Sequence, residues 1–329
     1  MAGRATRAAG APQRSPGDSR GERHRGWCAA AFLSVLTSGV SADPPSSSER
    51  SRSDPLEQAL PQEAGALPEV TIKARRANLE RRLRTLFSHI TITSHDNSIA
   101  LWRTPICPLV AGLPRTEAEF VLARLSEIAA SAGAPLAPEK CKPNFYVVVT
   151  PQPVALLKEW HARDRAMFGD TWLKNIRRFI NTPRSVRIWY NVEIVAADGA
   201  GLRSPEPVFN NTLLDALPIN PNAHATRLEF NELLDLSSVI VIVDLARVSG
   251  LELRQVTDYI AMIGLTKLKV DADIGDAPTI LRLFTPGGAA PAGLSDWDRS
   301  FLSALYHTNQ NSRAQLAEIT DSVLSEVEP

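Results

Sequence analysis

The chain has 329 residues, 44% of them hydrophobic, and its 36 Lys plus Arg balance 36 Asp plus Glu to a formal net charge of zero. That length holds one large domain or two smaller ones. With no basic excess, the composition excludes the electrostatic footprint of a nucleic-acid-binding protein.

Residues 1–25 carry six Arg against only Asp18 and Glu22, and the apolar stretch "GWCAAAFLSVLTSGVSA" follows, ending in Val40-Ser41-Ala42. A positively charged start, a short apolar run and small residues at its end predict a secretory signal peptide over 1–42, cut after Ala42. The run from Trp27 to Val35 falls short of the roughly 20 apolar residues that cross a bilayer, so no membrane span is expected after signal removal. Beyond Ala42, 30 basic residues face 34 acidic ones, and the predicted destination of this mildly acidic chain is periplasmic or extracellular. Residues 43–68 combine Pro, Ser and charge with almost no apolar side chains. Such a segment cannot bury enough surface to offset its ordering entropy and is expected to be a disordered linker.

Residues 69–329 read as a single α+β (or α/β) domain with a mixed central sheet. "EVTIKA" (69–74) suggests a short edge strand, and the spacing of Leu79, Leu83, Leu86 and Phe87 predicts a helix over 78–90. Thr116 and Glu119 have the spacing of a capping box, in which each side chain satisfies a free backbone donor. Val121, Leu125, Ile128 and Ala132 then share a helix face that Gly133 ends. Cys107 and Cys141 are the two cysteines outside the signal, and in an exported chain an even pair predicts one disulfide. Closing a loop of that length is worth about 3 to 4 kcal/mol in the chain-entropy account. Two buried thiols or half of a metal site are the competing readings, the latter weakened by the lack of a Cys-x-x-Cys or a nearby His.

"NFYVVVT" is a strand, and two helices are expected over 151–182, the second with Trp172, Leu173, Ile176, Phe179 and Ile180 on its apolar side. Val186, Ile188, Tyr190, Val192 and Ile194 alternate at period two and lead to an Asp198-Gly199 turn signal; Tyr190 reads as cross-strand packing. Residues 203–226 are a proline-rich irregular excursion. "VIVIV" (239–243) lacks alternation, as a central strand covered on both faces should. Ser295-x-x-Asp298 starts a helix carrying Trp297, Phe301, Leu305 and Tyr306, and Leu316, Ile319, Val323 and Val327 mark a terminal one.

Beyond residue 42, Gly-x-Ser-x-Gly, Gly-x-x-x-x-Gly-Lys and Gly-x-Gly-x-x-Gly are all absent, the one Gly-x-Ser-x-Gly match being Gly17 to Gly21 in the predicted signal peptide, which removes nucleophile-elbow hydrolases and phosphate-cradling loops from the domain. "TPGGAAPAG" (285–293) is glycine-rich but lacks a Lys and reads as a loop. His89, His95, His161, His224 and His307 are scattered, with no two at ligand spacing, whereas a catalytic zinc normally takes three protein ligands. No cofactor and no metal are expected.

"TDYIAMIGL" (257–265) comes nearest to a motif. Laid on the zinc-binding frame His-Glu-x-x-His-x-x-Gly-Leu, it matches Gly264 and Leu265 and puts Asp258 at the acidic position. Thr257 and Ala261 then stand at two ligand positions, and Lys267 at the third of the extended frame. With "AGLPRTEAEFVLARLSEIAASAG" and "KPNFYVVVT" before it and "APTILRLF" and "LSDWDRSFLSALYHT" after it, the chain from about 74 to 310 resembles an uncharacterised secreted bacterial family distantly related to zincin-like metalloproteases. The resemblance implies a zincin-like outline. Because every ligand position is replaced, it carries over no catalytic residue.

On a helical wheel Leu253, Val256, Ile260 and Ile263 form a core face, flanked by a strip of small residues, Thr257, Ala261 and Gly264, that permits close approach of a sheet or another helix. Asp258 falls on the opposite flank, one turn from Arg254, the spacing of an i, i+4 ion pair. Asp258 and Asp296 are the candidate catalytic carboxylates, while Asp298 has a structural task as the partner of Ser295. Together these features predict an exported, non-catalytic binding or envelope-associated domain whose partner is a peptide or an envelope protein. Two alternatives stand beside it: an active hydrolase or peptidase with a site assembled from distant residues, and a subunit of a secreted complex using 203–226 as its contact loop.

Overall fold

Helical and strand periodicities alternate along the chain, and the computed structural model describes residues 69–92, 98–169, 173–198, 202, 220, 222–224, 226–286 and 291–327. The predicted signal peptide (1–42) and linker (43–68) lie outside the described residues, as do Trp172, His95, Gly199 and most of the 203–226 excursion.

The first element corrects the edge strand expected at "EVTIKA": α1 (Glu69–Ile90) is one continuous helix. No Gly or Pro interrupts 69–90, so helix propagation, once nucleated by the apolar stripe Leu83, Leu86, Phe87 and Ile90, runs through the β-branched residues at its start. After β1 (Pro108–Ala111) comes α2 (Arg115–Ala132), whose N-cap is Pro114 with no side-chain cap. The helix therefore begins one residue ahead of Thr116, the Thr116–Glu119 capping box does not form, and Glu119 instead pairs with Arg115 at 2.7 Å. Gly133, at φ 83°, ends the helix in the left-handed conformation that a Cβ would resist.

β2 (Phe145–Thr150), α3 (Pro153–Arg163) and α4 (Leu173–Asn181) follow, then β3 (Val186–Ala196) and β4 (Glu232–Asp244). The strand order is β1-β2-β4-β3, with β1, β2 and β4 parallel and β3 antiparallel at the edge. Cys107 and Cys141 form the expected disulfide, across a sequence separation of 34, and so tie the entry of β1 to the approach of β2.

The remaining helices are α5 (Leu253–Gly264), α6 (Asp296–His307) and α7 (Gln315–Val327), with a 3₁₀ turn at Ile280–Phe284. Seven helices and a four-stranded mixed sheet among the described residues make this an α+β domain. "VIVIV" is buried on both faces, as its sequence demands. Val239, Val241 and Val243 join the larger core with α1, α2, α5, α6 and α7, while Ile240 and Ile242 meet Leu157, Phe168, Ile176 and Ile180 on the other side. Burying each of these side chains contributes roughly 1.5–3 kcal/mol. Among the described residues no helix is long and apolar enough to cross a membrane.

Candidate functional site

Helix α5 starts with a capping box between Glu252 and Gln255 and is buried from Val256 to its end. All three positions of its small-residue strip are filled by protein. Thr257 is 0% exposed and turns its hydroxyl back to Leu253 O at 2.7 Å. Ala261 is fully buried. Gly264 lies against the Phe145 ring so closely that a Cβ there would stand 2.2 Å from Cζ, and Phe145 is itself stacked on Trp102 at 5.9 Å. Lys267 is half-buried, and burial lowers its pKa.

A buried helix end leaves carbonyls that must find donors elsewhere. Here three aromatic side chains supply them in succession. Tyr190 Oη donates to Ile263 O at 2.6 Å, Trp102 Nε1 to Gly264 O at 2.8 Å and Tyr306 Oη to Leu265 O. Tyr190 is thus more than the cross-strand packing residue expected from its alternation. Burial raises the pKa of both phenols, which keeps them protonated and donating. The only sequence signal for this arrangement was that each of these aromatics carries a polar tip that requires a partner when buried.

Asp258 is 0% exposed, and its partner is not Arg254, which is exposed. Instead of the i, i+4 pair expected with Arg254, the carboxylate points across to α2, where Arg124 Nε donates to Oδ1 at 2.7 Å and Nη2 to Oδ2 at 3.1 Å. Leu294 N adds a third donor to Oδ2 at 2.9 Å. The loop approaches this closely because residue 293 is Gly, where a Cβ would sit 2.6 Å from Oδ2. The hydrogen bond to Asp258 is the main cause that raises the Arg124 pKa. Asp258 thus clasps α2, α5 and the segment leading into α6.

Asp296 and Asp298 do not converge on a groove. Asp296 is an exposed carboxylate paired with Arg299 at 2.9 Å. Asp298 is 2% exposed and accepts from Ser295 N, Ser295 Oγ, Thr279 Oγ1 and Ile280 N. It forms the capping box expected with Ser295 and also anchors the 3₁₀ turn. Burial raises its pKa against the opposing effect of these hydrogen bonds. His224 and His307 are exposed, so neither joins the buried Asp258. Among the described residues no three His, Cys, Asp or Glu side chains gather where a metal ion could be held.

No protein-family model, curated protein or solved structure matches this chain. Three surface grooves of the described residues lie away from the 257–267 segment. One of about 250 Å³ runs between α1 and residues 273–277. A second of about 620 Å³ borders Arg103 and Asp235, where Asp235 accepts from Arg103 N at 2.8 Å and Thr104 Oγ1 at 3.0 Å. The third, of about 600 Å³, opens at the ends of β2 and β4.

Proposed function

We propose that this chain is an exported, non-catalytic binding or envelope-associated domain in which the helix that resembles a zinc-protease helix has become architecture. The observation that carries this reading is the state of Asp258. At the position where a zinc protease keeps an accessible general base, this carboxylate has no exposure and its oxygens accept from Arg124 and Leu294 N. A base needs reach to a water or a substrate proton, and this one is sealed. Thr257 and Ala261, at the two nearest ligand positions, are equally buried. The Cys107–Cys141 disulfide supports passage through an oxidising compartment.

Elemental analysis of the purified protein tests the reading, with zinc expected well below one equivalent per chain and no cleavage of an unfolded protein substrate. One equivalent of bound zinc, or peptide cleavage abolished by Asp258→Asn in a variant that keeps its fold, would overturn it.

A further inference from the structure

The groove of about 600 Å³ sits at the carboxyl ends of the parallel strands β2 and β4, the edge at which open α/β sheets commonly receive ligands. Arg187 stands opposite Ile242 in the β3–β4 ladder, and Asp244 follows Ile242 by two residues, so the period of two sets both on the α3–α4 face. Arg187 is 2% exposed. Its Nη1 donates to Arg184 O at 3.3 Å, whereas its solvent-shielded Nε meets no partner among the described residues. An unpaired buried donor is costly, and Arg187 is among the residues that line the groove.

The charges around it leave room for an anion. Burial depresses the Arg187 pKa, Asp244 opposes that effect, and Arg247 and Arg184 add to it. The Asp244 carboxylate is already 3.4 Å from Arg247 Nε. Helix α3 opens into the same groove with Pro153 in its first turn and no side-chain cap, which leaves free N–H groups and the positive end of the helix dipole facing the space. Pro151 and Val154 give the wall an apolar portion, and Lys158 stands at the rim.

We propose that this groove binds a small organic anion, its carboxylate or phosphate held between Arg187 and the N-terminus of α3 and its apolar body against Pro151 and Val154. Lys158 and Arg247 draw the anion in. The site is separate from α5, so its failure and the failure of the non-catalytic reading are distinguishable.

Calorimetric titration of the full chain with hexanoate, hexyl phosphate and uncharged hexanol tests the proposal. At least one anion saturates, the tighter of the two identifies the head group, and hexanol does not bind. Arg187→Met weakens anion binding roughly tenfold, the scale of one lost charge-assisted hydrogen bond, and the exposed Lys158→Ala weakens it about threefold, as a rim charge should. If Arg187→Met does not fold, Lys158→Ala carries the test alone. The proposal is overturned if neither anion saturates, if hexanol binds as well as the anions, or if the folded variants bind like wild type.

Discussion

The Asp258 clasp and the Arg187 groove each bury one charged side chain on the helix-covered faces of the same sheet, and they treat it in opposite ways. Asp258 has its acceptor oxygens occupied by Arg124 and a backbone N–H. Arg187, equally hidden, keeps an unpartnered Nε beside an open groove. A buried charge whose oxygens are both held by protein donors gains little from a ligand and works as a fastener. A buried charge with a donor left over stores an unmet requirement that a ligand can fulfil. The difference between fastening and binding therefore lies in hydrogen-bond completeness rather than in burial.

The largest effect is expected from breaking the fastener. Arg124→Met leaves a carboxylate buried without its counter-ion, and such one-sided removal costs about 3–5 kcal/mol. Urea denaturation measures it. Replacing both partners with apolar residues, Arg124→Met with Asp258→Leu, should recover part of that loss, because the desolvation penalty disappears along with the attraction while Leu294 N loses its acceptor. Equal losses in the single and the double variant would show that Asp258 is not held by this pair.

Next in size is Gly264→Ala. The added methyl meets the Phe145 ring, which is 0% exposed and stacked on Trp102, so the ring has nowhere to move. Overpacking of this kind costs about 1–3 kcal/mol. Shrinking the obstacle with Phe145→Leu in the same chain should make the alanine better tolerated, and a purely additive double variant would argue against a direct clash.

These two sites also mark how far the sequence could be read. "VIVIV", the alternation of β3, the disulfide and the Ser295–Asp298 cap were legible because each rests on neighbours in the chain or on a residue type with few possible partners. The small-residue strip of α5 was legible as a seam, since 3.6-residue periodicity puts Thr257, Ala261 and Gly264 on one side. What lay against it was not. Phe145, Tyr190 and Tyr306 reach α5 from β2, β3 and α6 and Trp102 from the segment before β1, and Arg124 reaches Asp258 across 134 residues. The i, i+4 rule pointed to Arg254 because only local partners are visible in one dimension. The edge strand read at "EVTIKA" failed for a related reason: three β-branched residues in a row of six say nothing about the long helix that they extend.

Asp298 gives a smaller effect with a definite sign. Its pKa in the fold is raised above the ordinary 3.8 by burial, so between that value and the raised one the folded state binds more protons than the unfolded chain. Stability contributed by this group then falls as pH rises through that window and stays at its lower level above it. Taking the difference between wild type and Asp298→Asn cancels the other carboxylates. The advantage of wild type should be greatest near the lower end of the window and narrow upward, and an advantage that widens upward would refute the assignment.

The smallest expected effect is the sharpest check on the comparison. Arg254 lies one helical turn from Asp258, yet it is exposed and both carboxylate oxygens already accept from Arg124 and Leu294 N. Arg254→Ala should therefore change stability by less than about 0.5 kcal/mol, as surface substitutions away from buried networks usually do. Arg124→Met in the same assay loses several times more. If the two arginines cost the same, Asp258 is a shared and partly solvated charge rather than a closed clasp. In that case the distinction between a finished charge and a waiting one fails at its better-defined end.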